Sequence, residues 1–448
     1  MAGLAARIAA FAHRLRWEEL SPARRRRVCW FVADYIGSTL AGSTLPEAAS
    51  GFVLASPGPV KLPGDRRGLS PESAAIAMGT CGALLQIHDG FGGGGNHPSS
   101  TVIPALWASR EGRGLREILL PAAIGYEVAC RIAKCSHPAQ TLAGAAPTST
   151  TGAIGSAAAV GCLLGLDRDT LANAVSIAAF SAPVAAMRGL TEHGSVVPVH
   201  GGLAARSAIE AVRLAQAGLA AGTNVLEGGK DSGLLHLLKG DAAALVPEDW
   251  HGEMLDGVFF KPIPACRHAQ PAVEAVLDLL RAGALDYRRI RAVRVLTYPV
   301  SIMFGQPPRP EHELYDRLMS TPWAVASCLV HGGYGFDNVL APARDPRIEA
   351  LYPKIAFEVV PAYEKEYPRR LLTRLEVALE DGSTRAGECR MEYGMASEDG
   401  PYSPRGTTTP PLEEAGMRAK FFDLACRRIP RAEAQAILED IFETEAVT

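Results

Sequence analysis

The chain has 448 residues, enough for two or three domains at ~150 residues each, which excludes a small disulfide-stapled module. Lys plus Arg number 45 and Asp plus Glu 48, so a net charge of −3 supplies no field to hold nucleic acid or an anionic membrane. Gly at 45 and Pro at 32 exceed ordinary usage while the apolar fraction is an ordinary 48%, so the excess glycine needs a structural reason.

Leu4, Ile8, Phe11 and Leu15 recur at helical spacing and Glu18-Glu19 follow at once. The N-terminus therefore reads as a packed helix rather than a transit peptide. Ser21-Pro22 has the cap-and-first-turn pattern of a helix start, with an apolar face running on through Val28, Phe31 and Tyr35. Ala-rich helices are predicted over 71–88, 100–110, 115–135, 150–164, 168–187, 201–218 and 268–282, with no strand alternation before 250. The longest apolar runs, 74–87 and 151–166, fall short of the roughly 20 residues a bilayer requires. Past residue 285 the texture changes: 290–298, 354–359 and 372–382 alternate like half-buried strands, with a helix predicted over 323–330. A Pro-, Ser-, Gly- and Thr-rich loop over 395–412 and two helices, 411–427 and 430–444, close the chain. The expected fold is mainly α: a large all-helical domain (1–257), a smaller inserted α+β domain (258–395) and a C-terminal return to the helices (396–448). Nine cysteines without a C-x-x-C pair, mostly inside apolar stretches, suit reduced thiols in a cytoplasmic protein better than disulfides or structural zinc.

The most unusual stretch runs from Gln86 through His88-Asp89 and four glycines, Gly92 to Gly95, to His97-Pro98. A phosphate loop would need a lysine followed by Ser or Thr and a preceding strand, and neither is present. The glycines read either as close backbone approach to a small ligand, with His88, Asp89 and His97 as acid/base groups, or as a flexible surface turn. His88, Asp89, His97 and His200 supply metal-ligand types, but their spacing matches no metal motif, so no metal is expected. Lys261, Arg267 and His268 precede a helix and form either an anion pocket for carboxylates or a hinge with solvated bases. Cys266 beside Arg267 reads either as a thiolate or as a packed thiol. Arg188, Ser149 and Thr150 are further candidates for substrate binding.

The order of short motifs resembles the MmgE/PrpD family: His88-Asp89…His97-Pro98-Ser99, Gly125-Tyr126-Glu127-Val128, the Gly-Ala-rich helix from Thr151 to Ala159, His200-Gly201-Gly202, Lys261-Pro262-Ile263-Pro264, Ser320-Thr321-Pro322-Trp323 and Asp381-Gly382. It covers about 20–425, and the family includes 2-methylcitrate dehydratase, cis-aconitate decarboxylase and iminodisuccinate epimerase. The resemblance implies a helical main domain with a smaller lid, a cleft between them and a homodimer. It implies action on small organic acids without cofactor, by moving a proton next to a carboxylate. His97 then acts as principal acid/base with help from His88 or His200, and a dehydratase-like lyase is expected ahead of an isomerase or epimerase, or of a homologue that binds without turnover.

The chain departs from the family pattern in two places that matter. The lysine and arginine of the family's Lys-Arg-Leu-His motif fall on Val197 and Pro198, and the histidine preceding the Gly-Ala helix falls on Ala146. A pocket less polar than the family norm is expected, with a substrate bearing fewer carboxylates, unless a base such as Arg188 or Arg206 replaces the lost charge.

Overall fold

The computed structural model describes residues 3–192, 194–229, 232–283, 285–309, 314–341, 344–392, 402–404 and 406–442. Within them the chain is mainly helical. The first helix, α1 (Leu4–Arg14), buries Leu4, Ile8 and Phe11, the spacing that predicts it. In α2 (Pro22–Gly42) the Ser21 side chain accepts from Arg24 N, and everything from Arg27 to Gly42 is buried, so this helix runs through the interior. The larger bundle continues with α3 (Pro71–Ala83), α4 (Ser99–Ser109), α5 (Leu119–Ser136), α6 (Pro147–Leu163), α7 (Arg168–Phe180) and α8 (His200–Gln216).

Glycine makes the tightest of these crossings. A Cβ on Gly79 of α3 would lie 2.5 Å from the Cα of Gly202 on α8, and one on Gly155 of α6 would lie 2.4 Å from the Gly125 carbonyl oxygen on α5. Part of the glycine excess is thereby placed: it lets helix backbones touch where a methyl group would hold them apart.

The second half carries one four-stranded sheet. Strands β1 (Ile290–Thr297), β2 (Ile355–Val359), β3 (Arg370–Leu379) and β4 (Thr384–Glu392) lie in the order β2-β1-β3-β4, with β1 and β2 parallel and the other pairs antiparallel. One face takes α9 (Gln270–Arg281), on which α10 (Thr321–His331) packs. The closing helices α11 (Glu414–Ala425) and α12 (Arg431–Phe442) return to α2.

Several expectations need correction. The helix predicted over 71–88 ends at Ala83, and the one over 168–187 ends at Phe180, ahead of Pro183. Short pairings do occur before 250: Gly90–Phe91 meets Val258–Phe259, and Ala145–Ala146 meets Ala185–Ala186. Strand β4 goes unpredicted although Gly387, Cys389 and Met391 alternate inward beyond the Asp381-Gly382 turn. Residues 395–401 and 405 of the predicted loop and 443–444 of the last predicted helix lie outside the described residues.

Beside a small cluster of Ala48, Cys81 and Leu84, two large buried apolar clusters result. One joins the helices of the first half with α11 and α12, and the other joins α9, α10 and the sheet. Ile87, Ala146, Met187 and Val197 come from the helical half but belong to the second cluster, so the two cores meet around them. Among the described residues no helix is long and apolar enough to cross a membrane.

Candidate active site

Where the two cores meet lies a cavity whose empty space, with the open solvent at its mouth included, is about 760 Å³. Five imidazoles line it, those of His88, His97, His137, His200 and His268, together with Arg267, Gln86, Tyr315 and Tyr367.

The segment that presents the first two histidines is buried but not helical, so its backbone needs outside partners. After α3 ends, Gln86 takes a left-handed φ of 49°. The Lys261 ammonium donates to the Gln86 carbonyl at 3.0 Å, and Lys420 donates to the next carbonyl, of Ile87, at 2.9 Å. Lys420 also pairs with Asp34 at 2.7 Å. Two buried lysines thus clamp consecutive peptides immediately before His88. Beyond it, Phe91 N donates to the Asn96 carbonyl at 2.8 Å and closes the glycine run into a tight turn. Gly90, Gly92 and Gly94 are buried, which corrects the surface-turn alternative. At Gly95, with φ +67°, a Cβ would come within 2.9 Å of the His137 ring, so the close approach that glycine permits is to a side chain of the site.

Hydrogen bonds set the form of the histidines. His97 Nδ1–H donates to the Asp89 carbonyl at 2.6 Å. A carbonyl only accepts, so the proton sits on Nδ1 and the Nε2 of a cavity-lining ring carries the lone pair. His200, opening α8, donates through Nδ1 to the Val197 carbonyl, and its Nε2 is buried without a hydrogen-bond partner among the described residues. His88 Nδ1 is in the same condition, with its ring 5.0 Å from that of His97. Both nitrogens belong to rings that line the same cavity.

The remaining polar groups form a second chain. His137 Nδ1 and Thr141 Oγ1 are 3.2 Å apart, and His137 Nε2 and the Tyr367 hydroxyl are 3.2 Å apart. Tyr367 stacks on Tyr298 at 5.1 Å, and the Tyr298 hydroxyl lies 2.9 Å from His268 Nδ1.

Burial is the main cause of the unusual titration here. It holds His88, His97 and His268 well below the ordinary imidazole range, with His97, Lys261 and Arg267 respectively adding the next largest push. It lowers His200 too, and takes His137 down to about 3 with help from Arg267. These rings are therefore neutral at pH 7 and able to accept a proton. Burial also brings Lys261 down to about 8 and Tyr367 up, so the phenol keeps its proton.

His88, His97, His200, Arg267 and His268 all reach the cavity, and the other candidates do not. Asp89 is buried with its carboxylate turned away: Oδ1 accepts from Ser99 N and Oγ at the start of α4, and Oδ2 accepts from Tyr126 OH at 2.8 Å. Burial, opposed by these bonds, raises it to about 7; its contribution to the site is the backbone carbonyl that orients His97. Lys261 stands behind Gln86. Arg188 is 85% exposed beside Glu192, because in the single turn Met187–Thr191 residues 187 and 190 share the inward face. Thr150 turns away to donate to the Pro183 carbonyl at 2.8 Å, Ser149 is buried off the cavity, and Thr148 takes the place on the wall. Arg206 pairs with Glu210 at 2.7 Å and does not line the cavity either. Burial pushes the Cys266 thiol up despite Lys261, which favours the packed reading over a thiolate. No three His, Cys, Asp or Glu side chains among the described residues assemble into a group that would hold a metal ion.

His137, Tyr367, Tyr315 and Gln86 are the site residues that the sequence reading misses. Only His137 carried a signal, since His137-Pro138 repeats the His97-Pro98 pairing at the edge of a helix.

Sequence models of the MmgE/PrpD N-terminal and C-terminal domains match residues 6–244 and 263–444. Among curated proteins, a mouse cis-aconitate decarboxylase is 25% identical over 410 residues, 85% of this chain and 78% of that protein. A human cis-aconitate decarboxylase is 29% identical over 351 residues, covering 73% and 69%. A 2-methylcitrate dehydratase from Cupriavidus necator is 29% identical over 303 residues, covering 64% and 59%.

Proposed function

The chain belongs to the MmgE/PrpD family, and on that footing we propose that it is a lyase acting on a small organic acid, most simply a dehydratase. The names of its relatives, a decarboxylase and a dehydratase, support elimination at a carbon next to a carboxylate. The observation that carries the mechanism is the hydrogen bond from His97 Nδ1–H to the Asp89 carbonyl. It leaves Nε2 unprotonated in a buried cavity, as a general base must be. Arg267, the permanent cation on the wall, holds the carboxylate and stabilises the enolate-like charge that forms when the α-proton leaves. Tyr367, protonated and hydrogen-bonded to His137, hands a proton to the departing group. His88 and His200 keep the spare nitrogens that bind the rest of the acid. No step in this scheme calls for a metal or an organic cofactor. We place the enzyme in the cytoplasm as a homodimer, for which Phe180 and Val184, 77% and 58% exposed, offer apolar contact surface.

The test is turnover of cis-aconitate, 2-methylcitrate and a panel of 3-hydroxy acids in deuterated water, followed by NMR. Loss of a leaving group, abolished by His97→Ala, is the expected result. Deuterium entering recovered acid with no leaving group lost assigns an isomerase instead, and turnover unchanged in His97→Ala overturns the mechanism.

A further inference from the structure

We propose that the acid taken by this site bears a single carboxylate and an apolar arm, and that the arm lies against a wall built from Ala146, Met187, Leu190 and Val197. The inference rests on reading the cavity as an organic-acid site and goes on to say what kind of acid fits.

Two sets of observations carry it. The first is the charge around the cavity. Of the described residues that line it, Arg267 alone has a permanent charge. Its Nη2 donates to the Gly92 carbonyl at 3.1 Å, so it is held in place at the wall. The other cations nearby do not line the cavity: Lys261 holds the carbonyl of Gln86, Lys420 pairs with Asp34 and holds the carbonyl of Ile87, Arg206 pairs with Glu210, and Arg188 points to solvent. A second carboxylate would enter a buried space with neutral imidazoles and no second fixed cation to meet it.

The second is the continuity of the apolar wall. Ala146 is paired with Ala185 across a short two-strand ladder, which delivers the chain directly into the turn carrying Met187 and Leu190. Met187 N is tied back to the Gly144 carbonyl at 2.8 Å, and Val197 N to the Gly194 carbonyl at 3.0 Å. Ala146, Met187 and Val197 are buried in one apolar cluster, with Leu190 packed against it. Positions 146 and 197 are thus both absorbed into the same hydrophobic surface. A methyl or methylene laid there loses its water and gains contacts, whereas a carboxylate there loses water and gains nothing.

Saturated acids, which have no leaving group, read this without turnover. Calorimetric titration at pH 7.5 with acetate, butyrate, hexanoate and succinate compares chain length with charge, butyrate and succinate having the same number of carbons. Each added methylene is expected to tighten binding by about fourfold, the factor equivalent to about 0.8 kcal/mol. Succinate is expected to bind at least tenfold more weakly than butyrate. Val197→Lys should reverse that order; because a buried lysine can prevent folding, Met187→Ala is the second variant and should reduce the gain per methylene to about twofold. Succinate binding as tightly as butyrate, no dependence on chain length, or no binding of any of the four overturns the proposal. Because these ligands do not react, a failure here leaves the His97 mechanism standing, and a failure of His97→Ala to abolish turnover leaves this result standing.

Discussion

Mild acid should destabilise this protein even though three of its buried carboxyls, Asp34, Asp89 and Glu127, work in the opposite direction. His88, His97, His137 and His268 are all depressed below the ordinary imidazole range by burial, so each folds neutral while its unfolded counterpart takes up a proton near pH 6.5. For a depressed group the stabilisation is present above the unfolded value and is lost as pH falls towards the folded one. Holding His137, which burial takes down to about 3, neutral at pH 5 costs about 2 kcal/mol, and His88, His97, His200 and His268 act in the same direction. Asp89 and Glu127, both raised to about 7 by burial, have the reverse sign. Each regains stability as pH falls below 7, about 3 kcal/mol by pH 5, and Asp34, also raised by burial, acts in the same direction. Five lowered rings against three raised carboxyls give an expected net loss of stability between pH 8 and pH 5. Urea unfolding followed by circular dichroism at the two pH values measures it. His137→Gln, which removes one titrating ring, should reduce the loss by about 2 kcal/mol whatever the substitution does at pH 8. Equal or greater stability at pH 5, or an unchanged pH dependence in His137→Gln, would refute the assignment of neutral buried rings.

Asp89→Asn should gain on the parent as pH climbs from 4 to 7, by about 1.4 kcal/mol per unit, and gain no more above 7; urea midpoints across that range give the difference. Tyr367→Phe removes the hydroxyl 3.2 Å from His137 and should lower kcat about 100-fold on whichever panel acid is turned over, with KM within about twofold. Gly79→Ala pushes a methyl onto the backbone of Gly202 and should cost about 3 kcal/mol in chemical denaturation.

How much of this was legible beforehand depended on whether the information was local. Helical spacing placed α1 and α2, and period-2 alternation placed β1 and β3, because each reports burial of one face by the element itself. The order of short motifs made His97 and His200 candidates, the polar cluster before α9 made Arg267 one, and all three line one cavity. Direction was not legible. Asp89 and Lys261 have the chemistry of catalytic groups, yet one carboxylate is bonded to Ser99 and Tyr126 and the ammonium holds a carbonyl of residue 86. Nothing in the spacing of residues tells a side chain that faces a cavity from one that props up the segment behind it. Tyr367 is 230 residues from His137, and such a contact exists only once the sheet and the helices are packed together.

The glycine crossing of α3 and α8 has a consequence for how such a site can change over time. Gly202 sits two residues beyond His200, and α3 leads directly into the clamped segment that carries His88. The contact between the two backbones is thus also the gauge that sets how far apart those two imidazoles stand. A joint without side chains cannot be retuned by exchanging one apolar residue for another, so the spacing of the two helices there is fixed by backbone contact. Positions 146 and 197 are under no such constraint. Substitutions at the wall can therefore change what the cavity accommodates without moving the backbones that carry His88 and His200.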